Sequence, residues 1–261
     1  MELGLGGRAC IVTGASQGIG AATARCLSAE GARVLLVARD EGRLAAVAAE
    51  CPGSAVQSLD VTDPEAGRRA VGACEQRFGA IDVLVNNAGT SRVRALDELT
   101  DSEWQEQWEL HVMASERLMR AAAPRMAERG WGRVVNVCSS SGKRPSSSNV
   151  AYSVAKSAQL ALSRGYADAY ARRGVLVNAV APGPVASPLW TAPGGLADQN
   201  AERTGADRER VLEQARAKIP LGRFGTEEEI AAVIAFLCSE RASDVVGAAW
   251  SVDGGSVPSI V

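Results

Sequence analysis

A tyrosine and a lysine four residues apart, Tyr152 and Lys156 in the segment YSVAK, could do proton chemistry together. On a helix, this spacing places both side chains on one face. An ammonium group beside a phenol favours the phenolate and lowers the tyrosine pKa from its ordinary value of about 10. The pair therefore predicts a proton donor, although the same spacing also occurs in ordinary surface pairs.

Two further polar segments are predicted to lie near this pair. Ser139 follows the apolar run VVNVC and precedes Tyr152 by 13 residues, and the segment NNAG at 86–89 follows the apolar run DVLV. The carboxyl ends of parallel strands are where open α/β sheets bind ligands. We therefore expect Ser139, Tyr152 and the NNAG loop to share one cleft.

The segment TGASQGIG, residues 13–20, follows the first apolar run and opens a helical pattern. Glycines at 14, 18 and 20 permit a tight turn and a close approach of the backbone to a ligand, with the helix N-terminus facing a dinucleotide pyrophosphate. The segment predicts a dinucleotide site.

The same residues contain G-A-S-Q-G, which also fits the nucleophile elbow of a hydrolase with Ser16 as nucleophile. Asp60 or Asp82, followed by His111, would complete the chain order of such a triad. However, only one strand precedes Ser16, which leaves no earlier loop to supply an oxyanion hole. Residues 112–261 would also have no chemical role, so the dinucleotide interpretation is favoured.

The elements that must position these residues alternate between short β-rich runs and longer helical patterns. The predicted helices cover about 19–30, 41–50, 63–78, 101–129 and 150–172, and the predicted strands are RACIV, RVLLVA, AVQSL, DVLV, RVVNV, VLVNAV and GAAWSV. Repeated βαβ units predict a doubly wound, seven-stranded, mostly parallel sheet with helices on both faces. Residues 182–220 have no strand pattern, and we expect them to form a mobile flap containing a helix.

Size and composition limit the class of protein. The chain has 261 residues, 46% hydrophobic and 22% charged, which suits one folded domain over 1–261. Its net charge of −2 argues against nucleic acid as a partner. The longest strongly apolar run, 231–238, is too short to cross a membrane, and nothing directs export. Six scattered cysteines and a single histidine, His111, favour a reduced cytoplasmic protein without a metal site.

Taken together, the motifs resemble those of the classical short-chain dehydrogenase/reductase family, and of its 3-oxoacyl-carrier-protein reductases in particular. TGASQGIG, Asp60, NNAG, Ser139 with YSVAK, PGPVAS at 182–187 and VDGG at 252–255 occur in the family's order and spacing. The resemblance implies that Tyr152 is the acid/base, that Lys156 holds the nicotinamide ribose, and that Ser139 bonds the substrate oxygen. It implies cofactor contacts from Gly14, Ser16, Gln17, Gly18, Ile19, Gly20, Arg39, Asp60, Val61, Asn87, Ala88, Gly89, Tyr152, Lys156, Pro182, Gly183, Val185 and Ser187.

One position departs from the family pattern. His111 lies seven residues after Trp104, where the family carries a catalytic asparagine. The resemblance implies that the main-chain carbonyl here, at a helix irregularity, holds a water linked to the catalytic lysine. The imidazole either relays protons itself, with an ionisation between about pH 5.5 and 7.5, or only fills the irregularity.

The sequence thus predicts an oxidoreductase that transfers a hydride between NADP(H) and a ketone or secondary alcohol. NADP(H) is expected over NAD(H), because Ala38 occupies the position of the ribose-binding acid and Arg39 can pair with a 2′-phosphate. A homotetramer is expected, with the 101–129 and 150–172 helices in one interface and the last strand and the tail SVPSIV in another. The alternative is a cofactor-binding regulatory or scaffold protein with little turnover. The sequence does not identify the substrate.

Overall fold

Seven parallel strands form the central sheet of the computed structural model, which describes residues 2–258. The strands are β1 (Ala9–Thr13), β2 (Arg33–Ala38), β3 (Ala55–Ser58), β4 (Val83–Asn86), β5 (Gly132–Val137), β6 (Val175–Pro182) and β7 (Ala249–Val252). Their order is β3-β2-β1-β4-β5-β6-β7, and every neighbouring pair is parallel. The predicted doubly wound fold is confirmed, and the sheet is entirely rather than mostly parallel.

Eleven α-helices in the described residues connect and cover these strands. They are α1 (Gly18–Ala29), α2 (Glu41–Ala49), α3 (Ala66–Phe78), α4 (Asp101–Trp108), α5 (Ala114–Glu128), α6 (Ser140–Lys143), α7 (Val150–Tyr170), α8 (Pro188–Thr191), α9 (Leu196–Thr204), α10 (Arg208–Ala217) and α11 (Glu227–Cys238).

The five inner strands are buried on both faces, which is why they are largely apolar runs, whereas the edge strands β3 and β7 are partly exposed. Along β1, Cys10 and Val12 point into one apolar core, while Ala9 and Ile11 point into the other. Helices α1 and α11 cover the first core, and α3, α5 and α7 cover the second. The chemistry-bearing loops are therefore fixed to a rigid sheet.

The predicted helix over 101–129 is interrupted at the position where the resemblance implies an irregularity. A π-helical turn, Glu109–Met113, separates α4 from α5, and the backbone N–H of Ala114 donates to the carbonyl of Glu109. Such turns insert one extra residue into a helix and are frequent at functional sites. His111 lies in the middle of this turn.

The flap contains three short helices, α8, α9 and α10, where one was predicted. They have a small apolar core of their own, in which the rings of Trp190 and Phe224 meet edge to face with centroids 5.0 Å apart. Composition does not reveal this core, because residues 201–218 are highly charged and only Leu212 of α10 is buried. The mobility of the flap stays a prediction.

Within residues 2–258, no helix is both long and apolar enough to span a bilayer. The predicted packing of the tail SVPSIV falls in part on 259–261, which lie outside the described residues.

Candidate active site

A single cavity of about 1250 Å³ lies at the carboxyl ends of the strands. Every site residue predicted from the sequence lines it except Gly20. The cavity is larger than the roughly 300–1,000 Å³ of a typical small-ligand pocket, which suits a dinucleotide together with a substrate.

The glycine-rich turn between β1 and α1 fits a pyrophosphate. Gly14 and Gly18 have φ values of +65° and +63°, and a Cβ atom on Gly14 would lie 2.9 Å from the Cα atom of Ala88. Gln17 is the N-cap of α1, but its side chain makes no capping bond, so the first N–H groups of α1 remain available to an anion. Gly20 serves packing instead, because a side chain there would run into the Gly14 carbonyl.

We call the far end of the cavity, beside β2 and β3, its basic end after its two arginines, although Asp40 and Asp60 also line it. Arg39 and Arg43 both line it. Arg43 donates to the Gln17 side chain at 2.7 Å and pairs with Asp40 at 3.3 Å. The sequence analysis missed Arg43, although its place in the first turn of α2, three residues after the N-cap Asp40, was a usable signal. Two guanidinium groups therefore flank this end.

Asp60 lies next to this basic end. Partial burial raises the pKa of Asp60. Hydrogen bonds from Thr62 and the charge of Arg39 outweigh this effect and hold the pKa below its ordinary value. Asp60 is therefore an anionic acceptor on the cavity wall at neutral pH.

The NNAG loop holds β1 and β4 together at their carboxyl ends. The side-chain amide of Asn87 donates to the Thr13 carbonyl at 2.9 Å, and the Thr13 hydroxyl accepts from the main-chain N–H groups of Asn87 and Ala88. The Asn87 side chain thus supports the turn, while the loop backbone faces the cavity.

The segment after β6 forms the opposite wall. A Cβ atom on Gly183 would lie 2.8 Å from the Cα atom of Asp253, so only glycine fits against the end of β7 there. Val185 forms an isolated bridge with Gly225, and Ser187 is the N-cap of α8. These contacts fix the Pro182–Ser187 backbone along the cavity.

Ser139 and Tyr152 come together at the centre. Ser139 lies two residues after the end of β5 and caps α6, accepting from the N–H of Ser141 at 3.0 Å, while Tyr152 lies in the first turn of α7. Burial raises the pKa of Tyr152 to about 12, and the neighbouring Ser139 side chain opposes this rise. Tyr152 therefore holds its proton at neutral pH in this structure.

Lys156 lies one helical turn further along α7 and is 3% exposed. Its Nζ donates to the Val137 carbonyl at 2.8 Å and to Gln159 Oε1 at 2.9 Å, and burial lowers its pKa to about 8. The expectation that Lys156 lowers the Tyr152 pKa is not met here. Nζ lies 5.8 Å from the centroid of the tyrosine ring and is bonded to other groups, so burial dominates the pKa of Tyr152.

His111 lies on the other side of Tyr152 and is 1% exposed. Its Nε2 lies 2.9 Å from the Thr90 carbonyl, which can only accept, so Nε2 carries the hydrogen, and the buried Nδ1 has no partner among residues 2–258. Burial and the charge of Lys156 hold the His111 pKa well below 6.5, against the effect of the Thr90 bond. A neutral ring that fills the π turn is favoured over a proton relay working between pH 5.5 and 7.5.

The site does not support the hydrolase alternative. Ser16 has no side-chain hydrogen bond within residues 2–258, while the ring of His111 is held by Thr90 and Tyr152. A glycine-rich turn and a Ser-Tyr-Lys group in one cavity define instead a dinucleotide-dependent oxidoreductase.

Comparison with known proteins identifies the particular family. A family model described as enoyl-(acyl carrier protein) reductase matches residues 14–256. The chain is 38% identical to the short-chain reductase protein NovJ of Streptomyces niveus, over 94% of this chain and 92% of that protein. It is 34% identical to the 3-oxoacyl-[acyl-carrier-protein] reductase FabG of Escherichia coli, over 95% and 97% of the two chains.

Among solved structures, L-sorbose reductase of Gluconobacter frateurii, complexed with NADPH and L-sorbose, superposes with a TM-score of 0.92 at 34% identity, over 100% of both chains. The chain belongs to the short-chain dehydrogenase/reductase family, among the 3-oxoacyl-carrier-protein-reductase-like members. It is an oxidoreductase that acts on a carbonyl or a secondary alcohol, and the regulatory or scaffold alternative is not favoured.

Proposed function

We propose that this protein reduces a ketone to a secondary alcohol with NADPH, or catalyses the reverse reaction with NADP⁺. The observation that carries the proposal is one continuous cavity with two arginines at one end and the buried Ser139 and Lys156 with the half-buried Tyr152 at the other. The cofactor, when bound, supplies the hydride.

The chain's own residues handle the substrate oxygen. Tyr152, protonated near neutral pH, donates its hydroxyl proton to the oxygen as negative charge develops there. Ser139 provides a second hydrogen bond and orients the carbonyl. Lys156 directs a cationic group into the cavity to hold a ribose hydroxyl and to stabilise the tyrosinate left after proton transfer.

The preference for NADP(H) rests on the basic end of the cavity. Ala38 ends β2 without a carboxylate, and Arg39 and Arg43 can both pair with a 2′-phosphate. The glycine-rich turn carries the neutral Gln17 and no basic residue. Arg43 therefore supplies the second basic group of the site. The NADPH bound to L-sorbose reductase is in line with this preference.

The substrate is a small-molecule carbonyl or alcohol whose identity stays open. The part of the cavity beyond Tyr152 is bounded by apolar Trp190 and Leu110 and by charged Arg92 and Glu106. An acyl thioester, a sugar, a steroid and a small ketone remain candidates. We also propose a cytoplasmic homotetramer that has no nucleic-acid or membrane partner.

The test is NADPH oxidation against a panel of ketones covering these classes. Tyr152→Phe should lower turnover on the best substrate by about 10²- to 10⁴-fold while retaining NADPH binding. Tyr166→Phe is the matched control, because Tyr166 lies on the same helix but stacks on Tyr170 outside the cavity. Near-normal rates in Tyr152→Phe would refute the proposed chemistry, and no turnover of any ketone by the wild type would refute the function.

A further inference from the structure

Gln159 connects Lys156 to the π turn through a buried chain of side chains. Gln159 is 1% exposed and Ser115 is 4% exposed. Gln159 Oε1 lies 2.9 Å from Lys156 Nζ, and its Nε2 lies 2.7 Å from Ser115 Oγ. Ser115 Oγ lies 3.0 Å from the main-chain carbonyl of His111. Three side chains thus bridge α7, α5 and the π turn.

The donors and acceptors leave one arrangement for this chain. The lysine Nζ only donates, so the amide must present its oxygen to Lys156 and its NH₂ group to Ser115. Ser115 then accepts from Gln159 and gives its single hydrogen to the His111 carbonyl. With Val137 and Gln159 as acceptors, two of the three N–H bonds of the ammonium are used inside the protein. One N–H bond remains for the cavity.

The main-chain carbonyl of Gln159 is also hydrogen-bonded, by Ser163 on the same helix. The Ser163 hydroxyl donates to this carbonyl at 2.7 Å and accepts from the Asn136 side chain at 2.8 Å. Buried polar networks of this kind restrict side chains to one geometry when every member is bonded.

We propose that Gln159 is a positioning residue that anchors Lys156 and aims its remaining N–H bond at the cofactor site, with Ser115 tying this anchor to the π turn. The proposal rests on the proposed function for the role of Lys156. These side chains join Lys156 to the carbonyl of residue 111, the two groups that the family resemblance links through a water. An amide in its ordinary form keeps both hydrogens on nitrogen, so this chain of side chains holds Lys156 without itself passing a proton.

The test reads the pKa of Lys156 directly. The sequence has only three lysines, at 143, 156 and 218, so protein labelled with ¹³C at lysine Cε gives three signals, and Lys156→Arg identifies one of them. Titratable groups facing Lys156 are Tyr152 on its own helix, Cys138 after β5 and His111 in the π turn. All three are unchanged in the variants below.

Gln159→Glu places a carboxylate against the ammonium and should raise the Lys156 pKa from about 8 by about one unit or more. Gln159→Met retains the length of the side chain but removes the acceptor, and should lower the Lys156 pKa. If Gln159→Met does not fold, Gln159→Asn replaces it, since the shorter amide cannot span both partners. Gln107→Met, the same exchange at a residue outside the cavity, should leave the Lys156 pKa unchanged.

Opposite shifts in the two Gln159 variants support the proposal. An unchanged Lys156 pKa in both variants, or a shift in the same direction, overturns it. The titration needs neither cofactor nor substrate, so its outcome is separate from that of the ketone panel. As a second measurement, the NADPH dissociation constant from cofactor fluorescence should rise in Gln159→Met and stay constant in Gln107→Met.

Discussion

The edge of the His111 ring packs against the Tyr152 ring, with the centroids 5.1 Å apart and the ring planes at 83°. The family resemblance predicts an asparagine at this position, which could not make an aromatic contact. Edge-to-face aromatic pairs add about 0.5–1.5 kcal/mol to the stability gained by burial. The ring of His111 therefore packs directly against the tyrosine ring of the site.

The buried neutral state of His111 predicts a pH-dependent stability. Its pKa is lower in the folded protein than the 6.5 of the unfolded chain, so the unfolded state takes up the proton first as the pH falls. Compared with His111→Asn, the wild type should lose up to about 1.4 kcal/mol of unfolding free energy per pH unit below about pH 6.5. Urea denaturation at pH 7.5, 6.5 and 5.5 measures this difference. Parallel curves for the two proteins would show that His111 titrates normally in the fold.

A close contact between Gly89 and His111 predicts coupling between these positions. A Cβ atom on Gly89 would lie 2.7 Å from His111 Cε1 and 3.1 Å from Nδ1. Gly89→Ala should therefore cost about 1–3 kcal/mol of stability, and this cost should largely disappear in a His111→Ala background. Gly72→Ala is the control, because nothing lies within 4 Å of its added methyl group. Equal costs of Gly89→Ala in both backgrounds would contradict the contact.

The sequence predicted the sheet well, because buried parallel strands are continuous apolar runs between turn residues. Nearly every site residue that it predicted also lines the cavity, since backbone motifs at strand ends determine where these residues lie. The family resemblance indicated a helix irregularity at residue 111, but the residues themselves did not, because WELHVM contains no Gly or Pro and the turn depends on contacts such as the bond from Arg117 to Glu109. Arg43 and Gln159 were missed because their second partners, Gln17 and Ser115, lie elsewhere in the fold. The local signals were the three-residue spacings of Arg43 from Asp40 and of Gln159 from Lys156.

Exposed apolar residues on two separate surfaces support the proposed tetramer. Val154 on α7 is 44% exposed, and Trp250 is 36% exposed on β7, which is an edge strand of the sheet. Light scattering at micromolar concentration should give four times the chain mass of 27.1 kDa. Val154→Glu and Trp250→Glu should each reduce the assembly to dimers, whereas Leu96→Glu, at another exposed apolar residue, should not. A monomeric wild type would rule out the tetramer.

The two arginines at the basic end of the cavity predict the cofactor preference. A charge-assisted hydrogen bond contributes about 1.5–3 kcal/mol, so Arg39→Ala and Arg43→Ala should each weaken NADPH binding by about 10- to 100-fold. NADH has no 2′-phosphate, so its binding should change little in either variant. Ala38→Asp combined with Arg39→Leu should go further and favour NADH, because the new carboxylate can accept from the ribose hydroxyls and repels a phosphate.

The measurement is kcat/KM with NADPH and with NADH for each variant. Arg68→Ala serves as the matched control, because Arg68 pairs with Glu65 on the surface, away from the cavity. Arg43 should matter less than Arg39, since its guanidinium already bonds Gln17 and Asp40. A wild type that prefers NADH would show that these side chains do not recognise the 2′-phosphate. Arginine variants that lower kcat/KM equally with NADPH and NADH would show the same.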